Sequence, residues 1–269
     1  MPKLCVVVPA YNEGESLREF HARLAAVFDQ LAGASEPLDC EVLYVDDGSR
    51  DDTYAVMSSL READVRVATL KLSRNFGKEL ALTAGLDAAD ADAVVVIDAD
   101  LQDPPELIPV LLQHWREGCD VVYGTRTSEE FIWTGANMGF FLKWGNYAVA
   151  KMMEFLFNTV CLTDVGCTYR LIKRPALREI EPHFTVGGSH FGPEMMLITV
   201  LKRMKIVQIP VNYRPRVGES AVTGDLVKAF FLGLRMIGMI WGFWLRRFGR
   251  RLSGRPMFAE PSVQPGTPP

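Results

Sequence analysis

Two aspartates two residues apart, Asp98 and Asp100, stand in the run VVVIDADLQDPPE (residues 94–106), directly after a stretch of β-branched residues. At a strand end, carboxylates at that spacing can be aimed at one hard cation, with Gln102 as a further oxygen ligand or a holder of bound water. Such oxygen donors suit manganese or magnesium. The cation would let an acidic cleft accept a diphosphate and would act as a Lewis acid on a departing nucleotide. The same residues also read as a solvated loop that starts the next helix, with Asp103 and Pro104-Pro105 as the start signal. A second acidic pair, Asp46-Asp47, lies in YVDDGSRDDT (residues 44–53). As turn chemistry it launches a helix, and a carboxylate there can also accept a hydrogen bond from a nucleobase N–H. A third run, VVVPAYNE (residues 6–13), ends on Glu13.

These acidic ends need elements that bring them together. Residues 4–8, 42–45, 65–72, 93–97 and 120–123 read as strands. Helical spacing of apolar residues follows in segments 16–31, from about 53, 78–88 and from about 105. The strands are continuous apolar runs, the mark of burial on both faces. The first half therefore reads as a parallel sheet covered by helices, an α/β fold with ligands at the carboxyl ends of its strands. No GxGxxG follows the first strand, which disfavours a dinucleotide-binding dehydrogenase. In the second half, helices are expected over 140–160 and 190–203 and strands over 168–172 and 206–211, while residues 253–269, rich in Pro, Gly and Ser, read as disordered.

The chain has 269 residues, 48% of them hydrophobic, and a net charge of −4. Residues 226–259 hold seven basic side chains and no acidic one, so the part before them carries about −10. The basic residues are interleaved with an apolar stretch, residues 229–245, which favours an anionic membrane surface over nucleic acid. That stretch is short for a spanning helix and holds Arg235 near its middle, at a cost of roughly 2.5 to 3.5 kcal/mol on insertion. On a helix Lys228, Arg235 and Arg246 share one stripe, as for an interfacial helix; the other reading is a helix packed on the catalytic body or on a second copy in a homo-oligomer. No secretory or transit segment opens the sequence, and Cys5, Cys40, Cys119, Cys161 and Cys167 form no CxxC pair, so a cytoplasmic, reducing location is expected. His21, His114, His183 and His190 are not spaced as a metal cluster, although His190 and Glu194 lie one helical turn apart.

The ordered set VVVPAYNE, VDDGSRDDT, DADLQDPPE, Gly124-Thr125-Arg126, LTDVGCTYRLIKR (residues 162–174) and YRPRVGES (residues 213–220) resembles family 2 glycosyltransferases, and among them the polyprenyl-phosphate (dolichol-phosphate mannose synthase-like) branch. The resemblance covers roughly the first 223 residues and implies a GT-A, Rossmann-like catalytic domain over 1–223; the residue pattern adds a basic amphipathic helix over 224–252 and a disordered tail over 253–269. It implies a metal-dependent, inverting transfer of a hexose from a GDP- or UDP-sugar to a polyprenyl phosphate at the cytoplasmic membrane face.

By the same resemblance, Pro9, Tyr11 and Glu13 line the nucleoside pocket and Val45 and Asp47 contact the base. Asp98, Ala99, Asp100 and Gln102 form the metal and diphosphate site, and Arg126 meets the donor phosphate or the anionic acceptor. Asp164 matches a position proposed as catalytic base in some relatives. An ionised lipid phosphate needs little help from a base, so Asp164 can instead orient a substrate, cap a turn or pair with Arg170. The family pattern closes on a lysine where this chain has Ala221, leaving Arg216 or Arg214 as the phosphate partner. That departure keeps open a non-lipid glycan acceptor. A third reading, from another class, is an inactive membrane-associated scaffold of the same fold.

Overall fold

Apolar β-branched runs form the strands and amphipathic segments the helices, in the order expected for a wound α/β chain. In the computed structural model, which describes residues 1–126, 140–159, 162–185, 187–211, 226–254 and 256–258, the elements are β1 (Lys3–Ala10), α1 (Gly14–Ala32), β2 (Asp39–Asp46), α2 (Thr53–Ala63), β3 (Val67–Lys71), α3 (Lys78–Ala88) and β4 (Ala93–Val96). A short 3-10 turn (Pro105–Leu107) leads into α4 (Ile108–Arg116), followed by β5 (Val121–Thr125), α5 (Phe140–Phe157), β6 (Arg170–Lys173), α6 (Arg174–Ile180), α7 (Phe191–Leu201), β7 (Ile206–Pro210) and α8 (Leu226–Leu252).

The seven strands form one sheet in the order β3-β2-β1-β4-β6-β5-β7. β1 pairs in parallel with β2 and β4, β2 with β3, and β5 with β7. β6 alone is antiparallel, wedged between β4 and β5. All the parallel strands thus end on one edge, and β6 begins on that same edge, which brings the loop before it to the site.

Alternate residues of β1 enter opposite cores. Leu4, Val6 and Val8 pack with α1, α2 and α4, whereas Cys5 and Val7 pack with α3, α5 and α7. Burial on both faces is the physical cause of the unbroken apolar strands. The four described cysteines are buried and unpaired.

α8 joins the body through Met236, Ile240 and Phe243, packed against α5 and α7. Its other side leaves Phe230, Leu234, Ile237, Trp241, Leu245 and Phe248 exposed. No described helix is long and apolar enough to cross a membrane. The tail corrects one expectation. Met257 and Phe258 pack against the body, with the Phe258 ring 4.3 Å from that of His183, because an apolar pair in a polar segment gains more from burial than from solvation.

Candidate active site

The ends of β1 and β2 are stitched into one unit. The Asp47 amide donates to the Ala10 carbonyl (2.9 Å), the Asn12 amide to Ser49 Oγ (3.1 Å), the Arg50 amide to Asn12 Oδ1 (2.9 Å) and the Glu13 amide to Thr53 Oγ1 (2.9 Å). Pro9 and Val45 are buried beneath this seam, and Tyr11 is 37% exposed above it. Asn12 holds the loop in the left-handed region, at φ 55°, which an Asx side chain tolerates. Asp47 is buried, and its two carboxylate oxygens accept the Phe76 and Gly77 amides (2.8 and 3.0 Å). This ties the loop after β3 to β2. At Gly48 (φ 68°) a Cβ would lie 2.4 Å from the Arg74 carbonyl carbon, so only glycine permits the approach.

That third loop launches Lys78, the first residue of α3. Its ammonium lies 2.5 Å from Asp98 Oδ2 and 3.1 Å from Thr168 Oγ1. Burial acts to lower the Lys78 pKa, but the charges of Asp98, Asp100 and Glu79 prevail and raise it. Asp100 Oδ1 accepts the Gln102 amide (3.1 Å), and Ala99 is buried between the two aspartates. Asp98 Oδ1 and Asp103 Oδ1 are buried without a partner among the described residues. Burial, reinforced by the charges of Asp98 and Asp100, pushes the Asp103 carboxyl up to about 7.

Asp103 is therefore not the helix cap expected of it. The 3-10 turn begins after Pro104 without any side-chain cap, and the carboxyl of Asp103 turns inward. Buried carboxylate oxygens with no donor cost stability unless a cation or water meets them, and the bare oxygens of Asp98 and Asp103 are of the hard type that suits such a cation. Among the described residues no group of three or more His, Cys, Asp or Glu side chains is arranged to hold a metal ion by itself.

Beyond β5 the edge carries an ion pair. Arg126 donates to Asp164 from its amide (3.0 Å), Nε (2.8 Å) and Nη2 (3.1 Å). Asp164 also accepts from Asn146 Nδ2 (2.5 Å) and the Gly166 amide (2.8 Å). Burial alone would raise the Asp164 carboxyl, but the Arg126 guanidinium and these hydrogen bonds hold it at about 2. Gln208 on β7 fixes the loop from behind, donating to the Asp164 carbonyl (2.6 Å) and accepting from the Thr163 amide (2.7 Å). Asp164 is thus clamped to Arg126, and the same contacts favour its carboxylate form.

Arg170, which the sequence marks as structural with Asp164 only as an alternative partner, takes the structural role. Arg170 donates instead to the Thr168 and Cys167 carbonyls and lies over the Tyr123 ring, because β6 turns it into the core. Glu194 accepts the Thr185 amide and hydroxyl inside the protein and shares no exposed face with His190. Arg214, Arg216 and Ala221 lie outside the described residues. The sequence alone did not mark Lys78, Asn146, Thr168 or Gln208; the only local signal was Gly77-Lys78 in the loop after β3.

With this edge in place, the match to known proteins has a structural meaning. The model of glycosyl transferase family 2 matches residues 5–180. The chain belongs to that family. It is 42% identical over 125 residues to the bactoprenol glucosyl transferase of Shigella phage SfV, covering 46% of this chain and 39% of that protein. It is 32% identical over 218 residues to the undecaprenyl-phosphate 4-deoxy-4-formamido-L-arabinose transferase of Sodalis glossinidius, covering 80% and 60%. The chain spans about two fifths of the length of the first relatives it matches.

Solved structures share the fold. Mannosyl-3-phosphoglycerate synthase from Rubrobacter xylanophilus superposes with a TM-score of 0.58 at 18% identity, covering 99% of this chain and 79% of that one. Glucosyl-3-phosphoglycerate synthase from Mycobacterium tuberculosis, in complex with Mn2+ and UDP-glucose, gives 0.55 at 19% identity, covering 97% and 82%. The family's GT-A architecture, a mostly parallel sheet with helices on both faces, is the one observed here.

Proposed function

We propose that this chain transfers a hexose from a nucleotide diphosphate sugar to a polyprenyl phosphate, with inversion at the anomeric carbon. The observation that carries this reading is the pairing, on one sheet edge, of an acidic cluster short of donors with an arginine clamped by a buried aspartate. Asp98 and Asp100, with Gln102, would hold Mn2+ or Mg2+, which when bound neutralises the diphosphate leaving group. Pro9, Tyr11 and Glu13 would flank the nucleoside. Val45 would lie under the base, and Asp47 would accept from it with the lone pairs its two amide donors leave. Arg126 would orient the acceptor phosphate.

In the reaction the phosphate oxygen attacks the anomeric carbon as the bond to the diphosphate breaks. The acceptor is already an anion near neutral pH, so no proton has to be removed and Asp164 need not act as a base. The bactoprenol and undecaprenyl-phosphate relatives support a lipid phosphate acceptor. The phosphoglycerate-bound neighbours favour a second reading, a small soluble phosphate.

α8 supports the lipid reading. Its exposed apolar residues recur at three- and four-residue steps and so line one stripe, flanked by exposed Arg235 and Arg246, and the exposed Trp144 and Phe155 stand on neighbouring α5. An apolar stripe with a basic margin suits the interface of an anionic membrane, here the cytoplasmic face.

The test is incubation with Mn2+ and labelled UDP-glucose or GDP-mannose, with and without a short polyprenyl phosphate. Lipid-extractable label is expected, and label confined to water-soluble product would reject the lipid acceptor. In parallel, Leu234→Glu with Trp241→Glu should abolish sedimentation with anionic liposomes. Unchanged sedimentation, or a shift from dimer to monomer instead, would reassign the stripe.

A further inference from the structure

Lys78 is placed against the preference of its own helix. A cation in the first turn of a helix faces the positive end of the peptide dipoles, which disfavours it. Its position is nevertheless built with care. Gly77 takes φ 102°, the Phe76 and Gly77 amides are gripped by buried Asp47, and Thr168, delivered by antiparallel β6, receives a second N–H from the ammonium. The side chain is 46% exposed, so it can swing outward, whereas its partner Asp98 is 20% exposed.

The consequence is a competition. Asp98 Oδ2 cannot give its full charge both to an ammonium 2.5 Å away and to a divalent ion, and the two cations repel each other across a few ångströms. We propose that Lys78 is a resident cation of the donor site, holding Asp98 in place of a divalent ion until a nucleotide diphosphate arrives to draw the ammonium onto its phosphates. Metal and nucleotide then bind as a unit, because the diphosphate both adds ligands for the metal and removes its competitor. Such coupling is reciprocal: the metal favours the nucleotide by the same factor as the nucleotide favours the metal. It also keeps Asp98 neutralised between turnovers beside Asp100 and Asp103. The proposal rests on the donor-site reading above.

The experiment is titration of the full chain with MnCl2, followed by the paramagnetic resonance of free Mn2+, alone and with UDP or GDP. Wild type should bind Mn2+ weakly alone and much more tightly with one nucleotide. Lys78→Met and Lys78→Gln should bind Mn2+ alone about tenfold more tightly, the effect of removing a like charge at short range. In both variants the gain on adding nucleotide should shrink. Lys78→Arg, which keeps the charge, should stay close to wild type.

Two separate variants guard against one of them failing to fold. Equal or weaker Mn2+ binding by Lys78→Met and Lys78→Gln without nucleotide would overturn the proposal while leaving the donor site standing. If wild type bound Mn2+ neither alone nor with either nucleotide, the donor-site reading itself would fall.

Discussion

Asp164 and Asp98 lie on the same sheet edge and are treated in opposite ways by the fold. Asp164 is fully buried and receives five hydrogen bonds, three of them from Arg126, one from Asn146 and one from Gly166. Asp98 has one cation on Oδ2 and nothing on the buried Oδ1, and Asp103 behind it also keeps an oxygen without a donor. The chain can evidently satisfy a buried carboxylate when position is all that is required. Where it leaves carboxylate oxygens bare, stability is lost unless a cation or water meets them. On the reading proposed above, one aspartate is architecture and the other is chemistry, although both are acidic residues on one sheet edge.

The comparison breaks most visibly at Asp100. Asp100→Ala should lower sugar transfer by on the order of a thousandfold, about 4 kcal/mol of barrier, while thermal unfolding stays within a few degrees of wild type. Near-normal turnover would remove the metal from the donor site.

Asp164→Asn should do the reverse and act first on stability. Removing one member of a buried pair leaves the Arg126 charge uncompensated, at about 3 to 5 kcal/mol, measurable by urea unfolding at neutral pH. The acid dependence has a fixed sign. The folded pKa of about 2 lies below the ordinary value of 3.8, so the carboxylate's contribution is present above about pH 4 and is lost as pH falls through 2. The unfolding curves of wild type and variant should converge over that range, and a constant difference would mean that Asp164 is not the ionised partner.

The smallest expected effect is at Gly166, where a Cβ would lie 3.0 Å from Arg126 Nη2. Gly166→Ala should tilt the guanidinium and lower kcat/KM by about tenfold, with a stability change under about 1 kcal/mol. A large loss of stability with normal kinetics would make Arg126 a structural residue as well.

Much of this edge was legible in the chain. The continuous apolar runs marked doubly buried parallel strands, and parallel strands place all their carboxyl ends on one side. Glu13, Asp47 and Asp98 could therefore be assigned to one cleft before any contact was known. Helix α3 falls on residues 78–88 as its apolar spacing predicts. Other residues were settled only by packing. Asp103 looked like a cap because helix-start chemistry is local, yet its carboxyl is buried in spite of the repulsion from Asp98 and Asp100, which only the packed structure reveals. Arg170 was open to a pair with Asp164 as well as to a structural role, and the strand that carries it sends it into the core.

The amino-acid sequence by itself determined the alternation of strand and helix, the acidic strand ends and the basic, apolar last helix, because periodicity and turn chemistry act over a few residues. Only the tertiary structure decided that β6 enters the sheet antiparallel. That one reversal carries Asp164 to Arg126 across 38 residues and Thr168 to Lys78 across 90. Strand direction is a property of the assembled sheet, set by which neighbours a strand finds, and no local pattern records it.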